Sequence, residues 1–380
     1  MAERIGFPHA MACVHQAIAP TTIEPCPLGD SLGRVTASPV FAAIPHPPFD
    51  CSAMDGYALH RDDLATQRLA VGQPIYAGDR APRLLPGVAL PIATGAPVPD
   101  DCGAVIQNEI AGEVIDGELH RAQESFPGRN IRRRGEDVAA GDCVLSAGRI
   151  VTPAIIGALA CFGVTAIDVR RRPRIAILSS GAELDDSDSR IPDANGPMLH
   201  ALAIDAGADA RFLGTLPDDE VAIRRRLEEL AREADIVVTT GGISVGPRDF
   251  LMRVLGSMQA EILFHGIRMR PGKPAVFARM PDGRIILCLP GNPLAALIAG
   301  RFLMVQAIRA AQGLPLEQGE SVGTGQGRPG TTLVLKARSG PDGIDILPGQ
   351  RSHMLRSLTD ADCWIVTDER GDGTALRFSL

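Results

Sequence analysis

One stretch, residues 234–250 with the sequence ADIVVTTGGISVGPRDF, restricts the fold more than any other part of the chain. Residues 235–240 form a short apolar run rich in β-branched side chains, the pattern of a parallel strand covered on both faces. The run ends in Gly241-Gly242, and a helix can begin at Pro247, where a missing N–H is no loss. A strand, a glycine turn and a helix N-terminus in succession leave unpaired backbone N–H groups above the sheet, an arrangement that suits an anion. Ser244 and Gly246 follow at fixed offsets. Asp249 falls in the first helical turn, where a carboxylate is favoured by the helix dipole and can also reach a metal ion.

The same grammar extends on both sides. From Arg172-Pro173 onward, RIAILSSGAEL (174–184) reads as a strand, 195–206 as a helix and 209–216 as a strand. Residues 218–232 read as a helix with Ile223, Leu227 and Leu230 on one face, and 247–258 as another helix. EILFHGI, AVFARM and RIILCLPG are strands, and a long helix runs from Pro293 to about residue 312. This alternation is that of an α/β fold with a doubly wound sheet and helices on both faces.

The flanking regions differ. Residues 7–20 have helical spacing, and the proline-rich 44–56 is a rigid loop or crossover. Residues 57–130 show short β-runs broken by Gly and Pro, a small all-β module, followed by a basic turn at 128–142. The uncharged run 150–167 approaches the lower length limit for a membrane span, but its Gly, Pro and Thr content reads as a buried core helix of about ten residues. The glycine cluster at 319–330 reads as a linker or a hairpin-rich join, and 331–380 as a second small β domain.

At 380 residues, two to four domains are expected. A net charge of −7 with one Trp and two Tyr argues against a general nucleic-acid binder, which needs a basic face and stacking rings. The eight cysteines form no C-x-x-C pair and the eight histidines are dispersed, so no zinc pattern appears and free thiols in a reducing cytoplasm fit best. The N-terminus lacks a signal-peptide layout, and neither membrane nor nucleic acid is expected as a partner.

In an open α/β sheet, ligands sit beyond the carboxyl ends of the strands. Those ends carry Ser179-Ser180-Gly181 with Glu183, then Asp218, then Gly241-Gly242 with Ser244 and Asp249, and Pro290-Gly291-Asn292-Pro293. Each has a plain alternative: Asp218 as a helix N-cap, Asn292 as an N-cap before Pro293, Asp249 as a complement to a dipole. Glu183, Asp218 and Asp249 gathered on one rim without His or Cys suit Mg²⁺. Arg270 and Lys273, with Arg268 nearby, place cations that can hold an oxyanion, or else mark a surface turn. From its own context Asp55-Gly56 reads as a hairpin turn, the Thr94 hydroxyl as a local turn bond, and Asp137 as a partner for Arg132 to Arg134.

Several strings together resemble one family. PPFDCSAMDGYA, ATGAPVP, NIRRRGED, TTGGISVG with Asp249, RPGKP and LPGNP are similar, in that order, to the molybdopterin molybdenumtransferase (MoeA) family, related to the C-terminal region of gephyrin. The resemblance implies a homodimer and four domains: a discontinuous elongated domain from 1–44 and 130–172, an inserted β module at 45–129, an α/β domain like MogA at 173–318, and a C-terminal β domain at 319–380. It implies reaction of adenylylated molybdopterin with molybdate in the presence of Mg²⁺, with release of AMP. Acceptor molybdoenzymes and other cofactor-synthesis proteins are implied as further partners. Residue by residue it assigns Asp249, Glu183 and Asp218 as functional acids and metal ligands. Asp55, Thr94 and Asp137 match positions implicated in catalysis on the other side of a cleft shared between subunits. Gly241, Gly242, Ser244, Arg270, Lys273, Pro290, Asn292, Pro293 and Ser352 fall at substrate-binding positions; Ser352 and Lys336 align only loosely with functional positions.

This chain departs from the pattern at Ala182, where the family commonly has an acid, and at Gly266, where many members have lysine; Arg270 stands in place of a second lysine. Two other functions stay open. A molybdopterin adenylyltransferase resembles the α/β domain alone, and a non-catalytic gephyrin-type scaffold would not need the rim acids.

Overall fold

The anticipated strand at 235–240 spans Ile236–Thr240 and lies in the middle of a six-stranded sheet. The computed structural model describes residues 4–180, 192–216, 219–243, 250–323, 327–341 and 343–380. The chain divides into two compact units, one of residues 1–24, 33–37 and 168–380, the other of 25–32 and 38–167.

In the larger unit the sheet strands are β1 (Arg174–Ser180), β2 (Asp209–Leu216), β3 (Ile236–Thr240), β4 (Glu261–His265), β5 (Val276–Arg279) and β6 (Ile285–Leu289), in the order β2-β1-β3-β6-β5-β4. Neighbours among the first four are parallel, while β5 and β4 are antiparallel additions at one edge. A short turn closed by the Met280 N–H on the Arg284 carbonyl is enough to join β5 to β6, which a parallel pair could not use. Strand order reverses at β1, so the crevice beyond the β1 and β3 ends is the topological switch point.

Alternation with period two divides the core. Ile175, Ile177, Ile236, Val238, Ile285 and Leu287 share one cluster with the helices Asn195–Asp205 and Pro293–Ala299. Ala176, Leu178, Val237, Ile286 and Cys288 share the other, where Ile223, Leu227 and Leu230 of the helix Glu220–Glu233 and Leu251, Val254 and Leu255 of the helix Phe250–Ser257 pack. The Glu220–Glu233 helix is capped by Asp219, whose carboxylate accepts from the Ala222 N–H at 2.8 Å. Capping is therefore one residue later than the position expected for Asp218, because the cap must directly precede the first turn.

The long helix continues from Pro293–Ala299 through a π-helical turn, Gly300–Met304, into Val305–Ala311. By length and composition Pro293–Ala311 is the one helix among the described residues that could cross a bilayer, and 83% of its most apolar 18-residue stretch is buried inside the protein. Its buried Arg301 holds Glu317 through two contacts of 2.7 and 2.8 Å. The N-terminal helix is shorter than expected, Phe7–Gln16, and packs on this core through Phe7 and Phe302, whose ring centroids are 5.2 Å apart.

The C-terminal sheet runs Met269–Arg270, Thr332–Gly340, Cys363–Thr367, Thr374–Ser379, Glu320–Gly323, with Gly343–Ile346 beside Thr332–Gly340. Glu320–Gly323, within the stretch read as a linker or a hairpin-rich join, is an edge strand: ladder hydrogen bonds to Thr374–Ser379 outweigh its poor intrinsic preference. The only tryptophan, Trp364, is 1% exposed and joins the helical core.

The smaller unit contains the β module, a sheet in which Gly56–His60 lies between Cys102–Gln107 and Val88–Ile92. The expected helix in 150–167 is Pro153–Cys161, with Thr152 capping the Ile155 N–H at 3.3 Å. It is not a core helix: only Leu159 is buried. A helix apolar on every side carries no stripe from which its covered face can be read.

Candidate functional site

At the switch point the turn after β3 has Gly241 at φ +86° and Gly242 at φ +68°, in the left-handed region that favours glycine. A Cβ at Gly241 would fall 2.2 Å from the Ser180 carbonyl oxygen, so only glycine lets these two backbones meet. The turn after β6 also packs against it, with a Cβ at Gly291 placed in van der Waals contact, 3.4 Å from the Gly241 Cα.

A buried polar network joins the strand ends. Asn195 Nδ2 donates to Thr240 Oγ1 and to the Gly291 carbonyl, both at 2.8 Å, and Thr240 Oγ1 donates to the Pro290 carbonyl at 3.1 Å. Asp193 Oδ1 accepts from the N–H groups of Asn195 and Gly196 at 2.9 and 3.1 Å, and its Oδ2 accepts from Ser179 Oγ at 2.5 Å. Both oxygens of this rim carboxylate are therefore committed. Sequence reasoning missed Asp193 and Asn195; the bonds of Asp193 to the Asn195 and Gly196 N–H groups are a local turn-and-cap pattern, whereas Ser179, Thr240 and Gly291 are partners distant in sequence.

Beside this rim lies a cavity of about 960 Å³. Arg4, Arg268, Arg270, Lys273, Arg328 and Arg351 line it together with His353, and no Asp or Glu does among the described residues. In a chain of net charge −7 such a wall is a local reversal of sign, and it raises the concentration of anions there. Arg268 is partly neutralised: its Nε meets Glu369 Oε2 at 3.1 Å and its Nη1 donates to the Arg4 carbonyl at 2.5 Å. The other cations named take no ion pair among the described residues, and all are exposed.

The cavity gathers Arg270, Lys273, Pro290, Asn292 and Ser352, which were expected at a binding site, with Arg4, Arg328 and Arg351, which were not. Pro293 begins the helix as expected. Asn292 holds the N-cap position, yet its side chain makes no capping bond, so it is not the cap the sequence suggested. Gly266 has φ +85°, and its N–H donates to the Ala275 carbonyl at 2.7 Å, a turn that a lysine would strain.

Glu183, Asp218, Ser244 and Asp249 lie outside the described residues, as do Ala182 and the start at Pro247 of the next helix. Among the described residues no three His, Cys, Asp or Glu side chains form a metal-binding group.

The smaller unit holds its own polar constellation. Asp55 Oδ1 accepts from the Thr94 N–H at 2.7 Å and from Thr94 Oγ1 at 3.0 Å. These bonds, the backbone one first, hold the Asp55 carboxyl below its ordinary pKa, so it is ionised at neutral pH. Asp55-Gly56 is not the hairpin turn its context suggested, nor is the Thr94 hydroxyl bond local. Gly56 opens a central strand, and a Cβ there would lie 1.9 Å from the Ile106 carbonyl oxygen, which explains the glycine by close packing. Asp137 does not pair with arginine among the described residues. Arg133 instead contacts Asp50 at 2.6 Å, and the Arg134 N–H donates to Asp50 at 2.8 Å. Asp50 opposes Arg133 across two chain segments, a geometry that neighbours in sequence cannot offer.

Comparison with known proteins bears on both units. Residues 5–163 match the family model described as MoeA N-terminal region (domain I and II), and residues 176–310 match a probable molybdopterin binding domain. The chain is 36% identical over 324 residues to molybdopterin molybdenumtransferase 2 of Mycobacterium tuberculosis, covering 79% of each. It is 31% identical over 377 residues to the molybdopterin molybdenumtransferase of Haemophilus influenzae, covering 94% of this chain and 92% of that one. A solved structure of a molybdopterin biosynthesis MoeA protein from Pyrococcus horikoshii superposes with a TM-score of 0.79 at 25% identity, covering 100% of this chain and 99% of that one.

Proposed function

The chain belongs to the molybdopterin molybdenumtransferase family and works in molybdenum cofactor biosynthesis; from that premise we propose that it inserts molybdate into adenylylated molybdopterin and releases AMP. The observation that carries this reading is the basic cavity, a wall of cations with no acid among the described residues, next to the glycine turns of the sheet rim. Molybdate is a dianion, and Arg270, Lys273 and Ser352 offer it charge-assisted and neutral hydrogen bonds. The Gly241 N–H serves the Leu289 carbonyl at 3.0 Å, which leaves the Gly242 amide, without a side chain, to suit a diphosphate approaching the end of β3.

In this reading Pro290 and Asn292 form the cavity edge nearest the rim, and the Asn292 amide, which makes no capping bond, meets substrate. Mg²⁺ would be held by Glu183, Asp218 and Asp249, where it would offset phosphate charge. Asp55, held ionised and oriented by Thr94, and Asp137 keep the catalytic roles that the resemblance gives them.

The four-domain division given by the resemblance is retained as part of this proposal, as is a homodimer. The dimer is supported by the exposed Pro153–Cys161 helix and by Phe41, Ile44 and Ile150, which are 55%, 42% and 46% exposed. A cytoplasmic location is supported by eight free cysteines. Acceptor molybdoenzymes and other cofactor-synthesis proteins would take or supply the product and substrate.

The test mixes purified protein, adenylylated molybdopterin, Mg²⁺ and molybdate, and quantifies AMP together with reconstituted molybdoenzyme. Asp249→Ala is expected to keep the native circular dichroism and urea midpoint while abolishing molybdate-dependent AMP release. Undiminished release from that variant refutes the role of Asp249, and no molybdate-dependent release from the native protein refutes the reaction.

A further inference from the structure

Lys336 is fully buried in the strand Thr332–Gly340, where no carboxylate meets it among the described residues. Its Nζ donates to the Gly349 carbonyl at 2.7 Å and to the Met354 carbonyl at 2.6 Å. Its main chain is tied to the same loop. The Lys336 N–H donates to Gln350 Oε1 at 3.0 Å, and its carbonyl accepts from Gln350 Nε2 at 2.9 Å and from the Leu347 N–H at 3.0 Å. Every polar group of this one residue thus serves the segment 347–354.

Between the two captured carbonyls lie Gln350, Arg351, Ser352 and His353, all of which line the basic cavity, whereas Lys336 does not. An ammonium buried without a counter-ion is unfavourable, and an apolar side chain of similar length would serve packing better. Burial indeed pushes the Lys336 pKa down. What lysine supplies is a pair of donors that close the loop at both ends. The Gly349 and Met354 oxygens that it holds are not free to face an anion, which their negative dipole ends would repel. Its charge, seated behind the loop, adds to the field of the cavity.

We propose that Lys336 is a positioning residue for the oxyanion substrate, fixing the 349–354 loop so that Arg351, Ser352 and His353 face molybdate in the basic cavity. The role rests on the reading of that cavity as the molybdate site. Lys336→Met and Gln350→Ala separate it from a purely structural one. Molybdate affinity is measured by titration calorimetry, and loop order by hydrogen exchange of the 347–355 amides. For Lys336→Met the loop amides exchange about a hundredfold faster or more, the loss of two charge-assisted bonds, and the affinity, which feels only the displaced side chains, falls about tenfold. Amides of Cys363–Thr367 keep native protection, and in turnover the KM for molybdate rises while kcat at saturating molybdate is retained. Native affinity or native loop exchange in a folded Lys336→Met protein overturns the proposal. If that variant does not fold, Gln350→Ala decides, with both quantities moving in the same directions by about threefold; native values for both overturn it. Failure of the unaltered protein to bind molybdate sinks the cavity reading itself, whereas native affinity in Lys336→Met sinks only the role of Lys336.

Discussion

Arg270→Ala tests the basic cavity most directly. Arg270 is exposed and takes no carboxylate among the described residues, so its removal strands no buried partner and leaves the core intact. At contact distance a unit charge pair is worth about 1 kcal/mol in water and about 4 kcal/mol at the dielectric typical of a protein surface. Exposure puts Arg270 towards the screened end of that range, and the double charge of molybdate acts against the screening. Hydrogen bonds to charged groups contribute about 1.5–3 kcal/mol. A loss of about 2 kcal/mol follows, which is about a 30-fold rise in Kd for molybdate. Arg270→Lys keeps the charge but not the planar fork, and is expected to lose about threefold. The gap between native and Arg270→Ala narrows as salt rises from about 0.05 to 0.5 M, because the Debye length falls to a few ångströms. Titration calorimetry at both salt concentrations measures this, with Arg225→Ala as control. Arg225 projects from the outer face of its helix towards Glu229, away from the cavity residues. An Arg270→Ala Kd within about twofold of native, or a gap insensitive to salt, refutes the electrostatic argument.

Other consequences can be checked separately. Asp235 takes bonds from Arg171 and Arg174; burial acts to raise its pKa, but these bonds outweigh it and hold the carboxyl below its ordinary range. Its stabilisation is therefore complete above the unfolded value of about 3.9 and is lost as pH falls through the depressed folded value. Asp235→Asn should cost about 1.5–3 kcal/mol at neutral pH, with the difference from native closing in acid, as read by urea unfolding across the pH range. Gly241→Ala must adopt φ +86° and displace the Ser180 carbonyl, so a loss of about 2 kcal/mol or more by urea unfolding is expected, accompanied by loss of turnover. Ala158→Glu puts a charge on the exposed apolar helix and should convert the proposed dimer to monomer by light scattering with the native circular dichroism retained; a dimer mass unchanged from native would exclude this helix from the interface.

Much of this architecture is written in short windows of sequence. The run before Gly241 had to be a buried strand because β-branched side chains fit a sheet covered on both faces, and the alternation of Ile236, Val237 and Val238 assigns each to its side. Ile223, Leu227 and Leu230 mark their helix by the same logic at helical spacing, and the glycines mark where the backbone must turn left-handed. These are properties of dihedral angles and repeat lengths, set within a few residues. The basic cavity is different in kind: Arg4, Lys273, Arg328 and Arg351 are far apart along the chain, and nothing in their neighbourhoods announces that they share a wall. The exchange of partners from Asp137 to Asp50, the tie of Asp55 to Thr94, the exposure of Pro153–Cys161 and the burial of Lys336 were decided in the same way. A charge acquires its partner, and an apolar helix its covered face, only when segments distant in sequence are packed together, because Coulomb energy and burial depend on separation in space and not on position along the chain.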